Sequence, residues 1–194
     1  MFAEFIYRPI SGEYKEKHFG NISSDNSWVK FTNDQGEEWV GSFQRGWLDA
    51  SFFIKPLNKH EKAFVVVGGS AYLIDLNTKE QLNTIEISEI KSAIVDETQR
   101  YIYYSNGYDL WFIDIYGVET CLFEYNQHDD FKLTGISNNK LYATCFLYTD
   151  NSKQFHIEID LITKRVHKLD NGKQPVESKM TQNVIKAKPW WKLW

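Results

Sequence analysis

Proline occurs only four times and methionine twice in 194 residues, beside eleven glycines, which excludes collagen-like and proline-rich disordered chains. Helical periodicity is equally sparse, and residues 88–92 alone are spaced for a short helical turn. The two cysteines, Cys121 and Cys145, sit inside apolar strand-like runs with no CxxC pair. That placement predicts buried thiols rather than a disulfide, and it gives zinc no ligand set. No apolar run reaches the roughly 20 residues a membrane helix needs, because the longest, 63–76, is broken by Gly68, Gly69 and Ser70. Residues 1–9 lack a basic n-region, an apolar stretch and a cleavage site, so the expectation is a chain without a signal peptide that stays in the cytoplasm. Basic side chains are short in the body of the chain. From Lys173 onward five lysines face one glutamate, which leaves 17 basic and 25 acidic side chains at positions 1–172, a net of −8. A body of that sign repels phosphates and attracts cations, so no nucleic acid is expected as a partner.

Aromatic residues are what the chain has in excess, at 16%, within a hydrophobic share of 42%. That is enough to close a core as one domain, and the residue types favour sheet over helix. Three segments, 63–76, 101–115 and 141–161, share one pattern, in which a strand and a turn lead into a strand ending in an aspartate between aliphatics. The anchors Asp75, Asp114 and Asp160 lie 39 and 46 residues apart, the length of one four-stranded unit. Further strands at 50–54, 92–95 and 132–136 complete each unit. Gly68-Gly69 and Asn106-Gly107 tolerate the positive φ of hairpin turns. Residues 27–32 and 38–43 alternate across a turn at 33–36 and form a diverged fourth unit. The expected fold is therefore all-β, of antiparallel four-stranded units in a propeller-like or stacked-sheet arrangement. Its single domain spans 1–170, divided at 1–48, 49–88, 89–126 and 127–170. A basic tail, 171–194, follows and carries Pro189-Trp190-Trp191-Lys192-Leu193-Trp194.

The run Tyr-Leu-Ile-Asp-Leu-Asn-Thr-Lys at 72–79, echoed at 111–119 and 157–164, resembles the blades of bacterial β-propeller repeats. Residues 38–46 followed by 63–75 are similar to a pattern in small proteins encoded beside polymorphic toxins, some of which are immunity proteins. The second resemblance implies an inhibitor that occludes a toxin's active site. Three clear units and one diverged unit are fewer than most closed propellers use, which leaves a small ring or an open curved stack.

Catalytic constellations are scarce. The histidines, 18, 60, 128, 156 and 167, form no HxH or HExxH pair, so neither a metal nor another cofactor is expected. His128-Asp129-Asp130 reads as a solvated acidic loop, and His156 and Glu158 alternate with Phe155, Ile157 and Ile159 as on an exposed sheet face. Gly68-Gly69-Ser70 leads into a strand with no lysine at phosphate-loop spacing, so it is a hairpin turn. The three aspartate anchors cap their own turns in this reading, against the alternative of a carboxylate set for calcium or glycoside hydrolysis. Binding features are richer. Tyr103, Tyr108 and Trp111 crowd one unit among Asp109, Glu119, Glu124, Asp129 and Asp130, which suggests an acidic, aromatic surface for a basic cognate toxin. Trp190, Trp191 and Trp194 are costly to leave in water, so the tail is expected to dock, on its own sheets or in a homodimer ahead of a partner or a membrane interface. The expected function is thus a non-enzymatic, immunity-type inhibitor. Its alternatives are a propeller-like scaffold without a toxin and a carboxylate-dependent hydrolase.

Overall fold

The computed structural model describes residues 2–21, 25–85, 88–124, 130–147, 150–170 and 173–177. The chain is all-β, built as four successive sheets. The first holds β1 (Phe2–Ile6), β2 (Glu16–Phe19), β3 (Asn26–Thr32) and β4 (Glu38–Gln44); the second holds β5 (Phe52–Leu57), β6 (Lys62–Val67), β7 (Ser70–Asp75) and β8 (Glu80–Thr84). The third holds β9 (Ser92–Val95), β10 (Tyr101–Ser105), β11 (Asp109–Asp114) and β12 (Glu119–Glu124). The fourth holds β13 (Asp130–Ser137), β14 (Lys140–Leu147), β15 (Asp150–Asp160), β16 (Val166–Asp170) and β17 (Lys173–Glu177). Sheets two to four are antiparallel meanders in chain order. The first is ordered β1-β3-β4-β2, with β2 parallel to β4, so it differs from the others in topology as well as sequence. Residues 88–91 form no helical turn, and the one short helix among the described residues is a 3₁₀ turn at Asn58–His60.

Strand alternation makes each sheet two-faced, and the buried faces meet in three separate clusters. Val29, Phe31 and Phe43 of the first sheet pack on Val65, Tyr72 and Ile74 of the second. Phe64, Val66 and Leu73 on the other face of the second sheet meet Ile102, Tyr104 and Ile113 of the third. Leu110 of the third joins Phe131, Leu141, Ala143 and Ile157 of the fourth. Among the described residues no cluster joins the fourth sheet to the first. The leading strands β1, β5, β9 and β13 approach one another in succession. This is the propeller-like arrangement, with each sheet stacked on its neighbour along one buried face.

The repeat is legible atom by atom. Asp75 Oδ1 accepts from the N–H groups of Asn77 and Thr78 at 3.0 Å, Asp114 Oδ1 from Tyr116 and Val118 at 2.9 Å, and Asp160 Oδ1 from Ile162 at 2.9 Å and Thr163 at 2.7 Å. The next residue in each unit, Leu76, Ile115 or Leu161, donates its N–H to the carbonyl of Glu61, Arg100 or Asn139. All three anchors are turn caps, as expected from their repetition. Gly68-Gly69 forms a two-residue hairpin with φ of +60° and +84°, whereas the strands flanking Asn106-Gly107 pair only from Ser105 and Leu110, so that loop is wider. There Gly107 takes a φ of +102°, and Asn106 Oδ1 accepts from the N–H groups of Tyr108 and Asp109 to hold the wider loop.

Burial acts to raise the Asp75 carboxyl, but the Thr78 N–H and the Lys62 ammonium, 3.1 Å away, hold it below the usual carboxylate range. A depressed pKa adds stability above the unfolded value near 3.9 and loses it as pH falls through the folded value. Asp75→Asn keeps the two N–H bonds and loses the ion pair, so we expect a cost of about 1 kcal/mol at pH 7 that shrinks progressively below pH 4. Urea midpoints of the two proteins across that range check this, and a gap independent of pH contradicts it.

Candidate functional site

The upper end of the stack, where the Gly68-Gly69 turn lies, is tightly packed. Gly46 donates to the Val67 carbonyl at 3.0 Å, Leu48 to the Gly68 carbonyl at 2.9 Å and Ile90 to the Gly69 carbonyl at 3.0 Å, so the inter-sheet connections clamp the turn. The lower end is open. There the β3–β4 turn of the first sheet faces the β5–β6 and β7–β8 turns of the second across a groove of about 650 Å³.

Local chemistry fixes each wall. Asn33 Oδ1 accepts from the N–H groups of Gln35 at 3.0 Å and Glu37 at 2.8 Å, which sets the β3–β4 turn and projects Glu37. Glu61 follows the 3₁₀ turn with φ of +52°; its carbonyl holds Leu76 N–H at 2.9 Å and its carboxylate takes Asn77 Nδ2 at 2.5 Å. The turn that Asp75 caps therefore also positions Glu61. Phe31, Trp39 and Leu76 form the nearly closed apolar floor, with exposures of 1%, 6% and 9%. Lys79 Nζ stands 5.7 Å from the Trp39 ring centroid and ties the two sheets together.

Five carboxylates, Glu13, Asp34, Glu37, Glu38 and Glu61, line the groove against two cations, Lys15 and Lys79. Glu38 is paired with Lys30 at 3.4 Å. Among the described residues Glu13, Glu37 and Glu61 accept only from neutral donors, namely Ile10 N–H, Asn33 Nδ2 and Asn77 Nδ2. Their charges are left for solvent or a visiting cation. With carboxylates in excess along its rim, the groove has a potential that favours cations.

The expected aromatic surface is divided by strand alternation. Tyr103 pairs with Phe112 across β10 and β11 and packs toward the fourth sheet, whereas Trp111, paired with Tyr104, packs toward the second. Burial, with Asp96 and Tyr101 nearby, pushes the Tyr103 phenol up to about 12. Glu119 accepts from the buried Tyr104 hydroxyl beneath the same face as Trp111. Tyr108, Asp109 and Asp130 do come together at the upper end of the third sheet, where Lys91 lies 3.4 Å from Asp130 and 5.6 Å from the Tyr108 ring centroid. Lys91 thus already meets the charge of Asp130. The backbone of Glu124 is opposite Asp109. Asp129, Trp190, Trp191 and Trp194 lie outside the described residues.

Two other expectations are refined. Cys145 is fully buried, and burial pushes its thiol up to about 12, but Cys121 is only half-buried; neither is in a disulfide. His156 and Glu158 do share a face opposite the buried Ile157 and Ile159, and there they meet Thr144 at 3.0 Å and Lys140 at 2.7 Å. The groove itself was missed. Its walls come from positions 13–15, 31–39, 58–61 and 76–79, and the acidic cluster Asp34, Glu37 and Glu38 was its only local trace.

No known family model and no curated protein matches the sequence. Among solved structures, the chain is similar to apo AztD from Citrobacter koseri, at 12% identity and a TM-score of 0.49, covering 84% of this chain and 48% of that one. A chain of the S. cerevisiae assembly of a Dbp5 variant with Nup159, a Gle1 variant, IP6 and ADP gives 14% and 0.48, covering 75% and 44%. The N-terminal domain of Nup159 gives 14% and 0.42, covering 79% and 45%. The chain spans less than half the length of each. At these scores the assignment of fold rests on the four sheets of the chain itself. No helix among the described residues is long and apolar enough to cross a membrane.

Proposed function

We propose that this chain is a non-catalytic protein-binding module that takes up a basic surface of its partner, and that in this role it is an immunity-type inhibitor that occludes a cognate toxin. The observation that carries the reading is the lower groove, where Glu13, Glu37 and Glu61 keep uncompensated charge around a closed apolar floor. The excess of acid over base in residues 1–172, a net of −8, extends the same field over the body and steers a cationic partner toward it. The resemblance to proteins encoded beside toxins supplies the kind of partner. Lysines or arginines on an exposed loop of the toxin would enter the groove, and the surrounding turns would cover its neighbouring surface.

The test has two stages. Titration of the full chain with an octalysine peptide should show binding that Glu37→Lys/Glu61→Lys weakens at least tenfold and that Asp109→Asn leaves within twofold. Both groove substitutions are at exposed positions, and far-UV circular dichroism confirms that the sheets persist. Equal binding by all three proteins removes the groove as the site. Co-expression with the product of an adjacent toxin gene should then rescue growth with the parent chain and fail with the groove variant. Rescue by neither protein leaves a scaffold module as the better reading.

A further inference from the structure

We infer that recognition extends beyond the groove onto an apolar ledge at the lower end of the third and fourth sheets, so that the partner presents a basic side chain and, roughly 10–25 Å from it, apolar ones. The inference rests on the reading of the groove as the seat of the basic residue. The repeat makes the ledge visible. Two residues after each aspartate anchor stands an N–H that the carboxylate takes, from Asn77, Tyr116 and Ile162 in turn. The cap uses only the backbone, which leaves the side chain at this position free to vary. Beside the groove it is the polar Asn77, which holds the Glu61 carboxylate. In the next two units it is large and apolar, yet Tyr116 is 78% exposed and Ile162 75%. Val118, which donates the second N–H to Asp114, is 59% exposed. Single exposed apolar residues are ordinary, but three on neighbouring turns at one end of a stack mark a contact surface.

Hydrogen bonds carry the surface from the groove to the ledge. Lys59, next to the groove-lining Asn58, donates its N–H to Gln99 Oε1 at 2.9 Å and its ammonium to the Glu97 carbonyl at 3.0 Å, which ties the β5–β6 turn to the β9–β10 turn. The Arg100 carbonyl of that turn holds Ile115 N–H at 3.1 Å, one residue before Tyr116. A Cβ at Gly117 would lie 3.0 Å from Asn83 Cβ, so the Tyr116 turn is seated against β8 of the second sheet. In the fourth sheet Phe131 N–H meets the Gly107 carbonyl at the upper end, so β13 runs down to Asn139, whose carbonyl holds Leu161 beside Ile162. Packed sheets stand about 10 Å apart, which places the two turns one and two steps from the groove. A bare polycation fills the groove alone, whereas a protein surface that adds apolar side chains at this distance also covers the ledge, and the chain thereby discriminates among basic partners. An anionic lipid surface is disfavoured, because five carboxylates against two lysines line the groove beside it.

Titration of the full chain with two synthetic peptides tests this. Each has four lysines and a six-residue glycine–serine linker that reaches up to about 20 Å; one ends in two leucines and two tryptophans, the other in four serines. The apolar peptide should bind at least tenfold more tightly than the serine peptide, about 1.4 kcal/mol, which burial of roughly 55 Å² of apolar surface supplies. Tyr116→Ser/Ile162→Ser should bring the two peptides within twofold of each other and leave octalysine binding within twofold of the parent's. Both positions are exposed and keep their capping N–H groups, and far-UV circular dichroism checks that the sheets persist. A gain that survives in this variant puts the apolar contact elsewhere and overturns the ledge, as does the absence of any gain. Either result with octalysine binding intact rejects this inference alone. Failure of the parent chain to bind octalysine rejects the reading of the groove as well. Sedimentation of the parent, and not of the variant, with phosphatidylserine-containing vesicles would assign the ledge to lipid and overturn the inference too.

Discussion

Gly46→Ala is expected to destabilise the chain by about 2–4 kcal/mol, although it adds a single methyl group to a connection between sheets. A Cβ at Gly46 would lie 2.3 Å from the Gly68 carbonyl oxygen, 2.8 Å from Ser70 Oγ and 3.0 Å from Ser70 N. Two of these are backbone atoms, and the approach is mutual, since a Cβ at Gly68 would lie 2.4 Å from the Gly46 carbonyl oxygen. Neither the connection nor the turn can yield without breaking the bonds from Gly46 to Val67 and from Leu48 to Gly68. Overpacking of this kind costs about 1–3 kcal/mol, and each weakened hydrogen bond adds roughly 1 kcal/mol. Gly36→Ala serves as the control. Its Cβ meets nothing within 4 Å and only its φ of +81° is unfavourable, so about 1 kcal/mol is expected. Urea denaturation at constant m-value distinguishes them, and equal losses would contradict the clash.

Phe43→Ala should have the largest effect, about 3–5 kcal/mol, and should act unevenly along the chain. Phe43 is fully buried, stacks on Phe19 at 4.7 Å and contacts Phe31 at 6.3 Å and Tyr72 at 5.2 Å between ring centroids. It is the junction of the first two sheets. The stack is held by three consecutive clusters, each between neighbours only, so coupling passes from sheet to sheet as in repeat proteins. Removing the ring should therefore release the first sheet before the others. In native-state hydrogen exchange, amides of β3 and β4 should lose protection while those of β14 and β15 keep it. Uniform loss through all four sheets would show instead that the stack unfolds as one unit.

Both effects bear on the groove, because its walls belong to two sheets that touch through the Phe43 cluster and the Gly46 connection. A variant that loosens either should also weaken octalysine binding, even though neither residue lines the groove. The groove is a consequence of stacking. It has no existence within one sheet.

Much of the architecture was open to reading from the chain alone, since hairpin chemistry and strand alternation act over a few residues. Asp75, Asp114 and Asp160 announced their turns because a carboxylate two residues before a free N–H caps it in any context. Alternation likewise placed Ile157 and Ile159 inside and His156 outside. The diverged first unit was visible as strands, but its β1-β3-β4-β2 order was not, because pairing between distant strands leaves no local periodicity. For the same reason the aromatic residues of the third unit looked like one surface in sequence, while the sheet sends Tyr103 and Trp111 to opposite neighbours.

The sequence by itself determined an all-β chain, its repeated turns, an acidic body and a basic, tryptophan-bearing segment after it. Only the tertiary structure decided which carboxylates stand together. Glu13, Glu37 and Glu61 are up to 48 positions apart and become one electrostatic feature because two sheets present their lower turns across a shared buried face. Charge acts through space, and the chain specifies that space only once its apolar faces have closed.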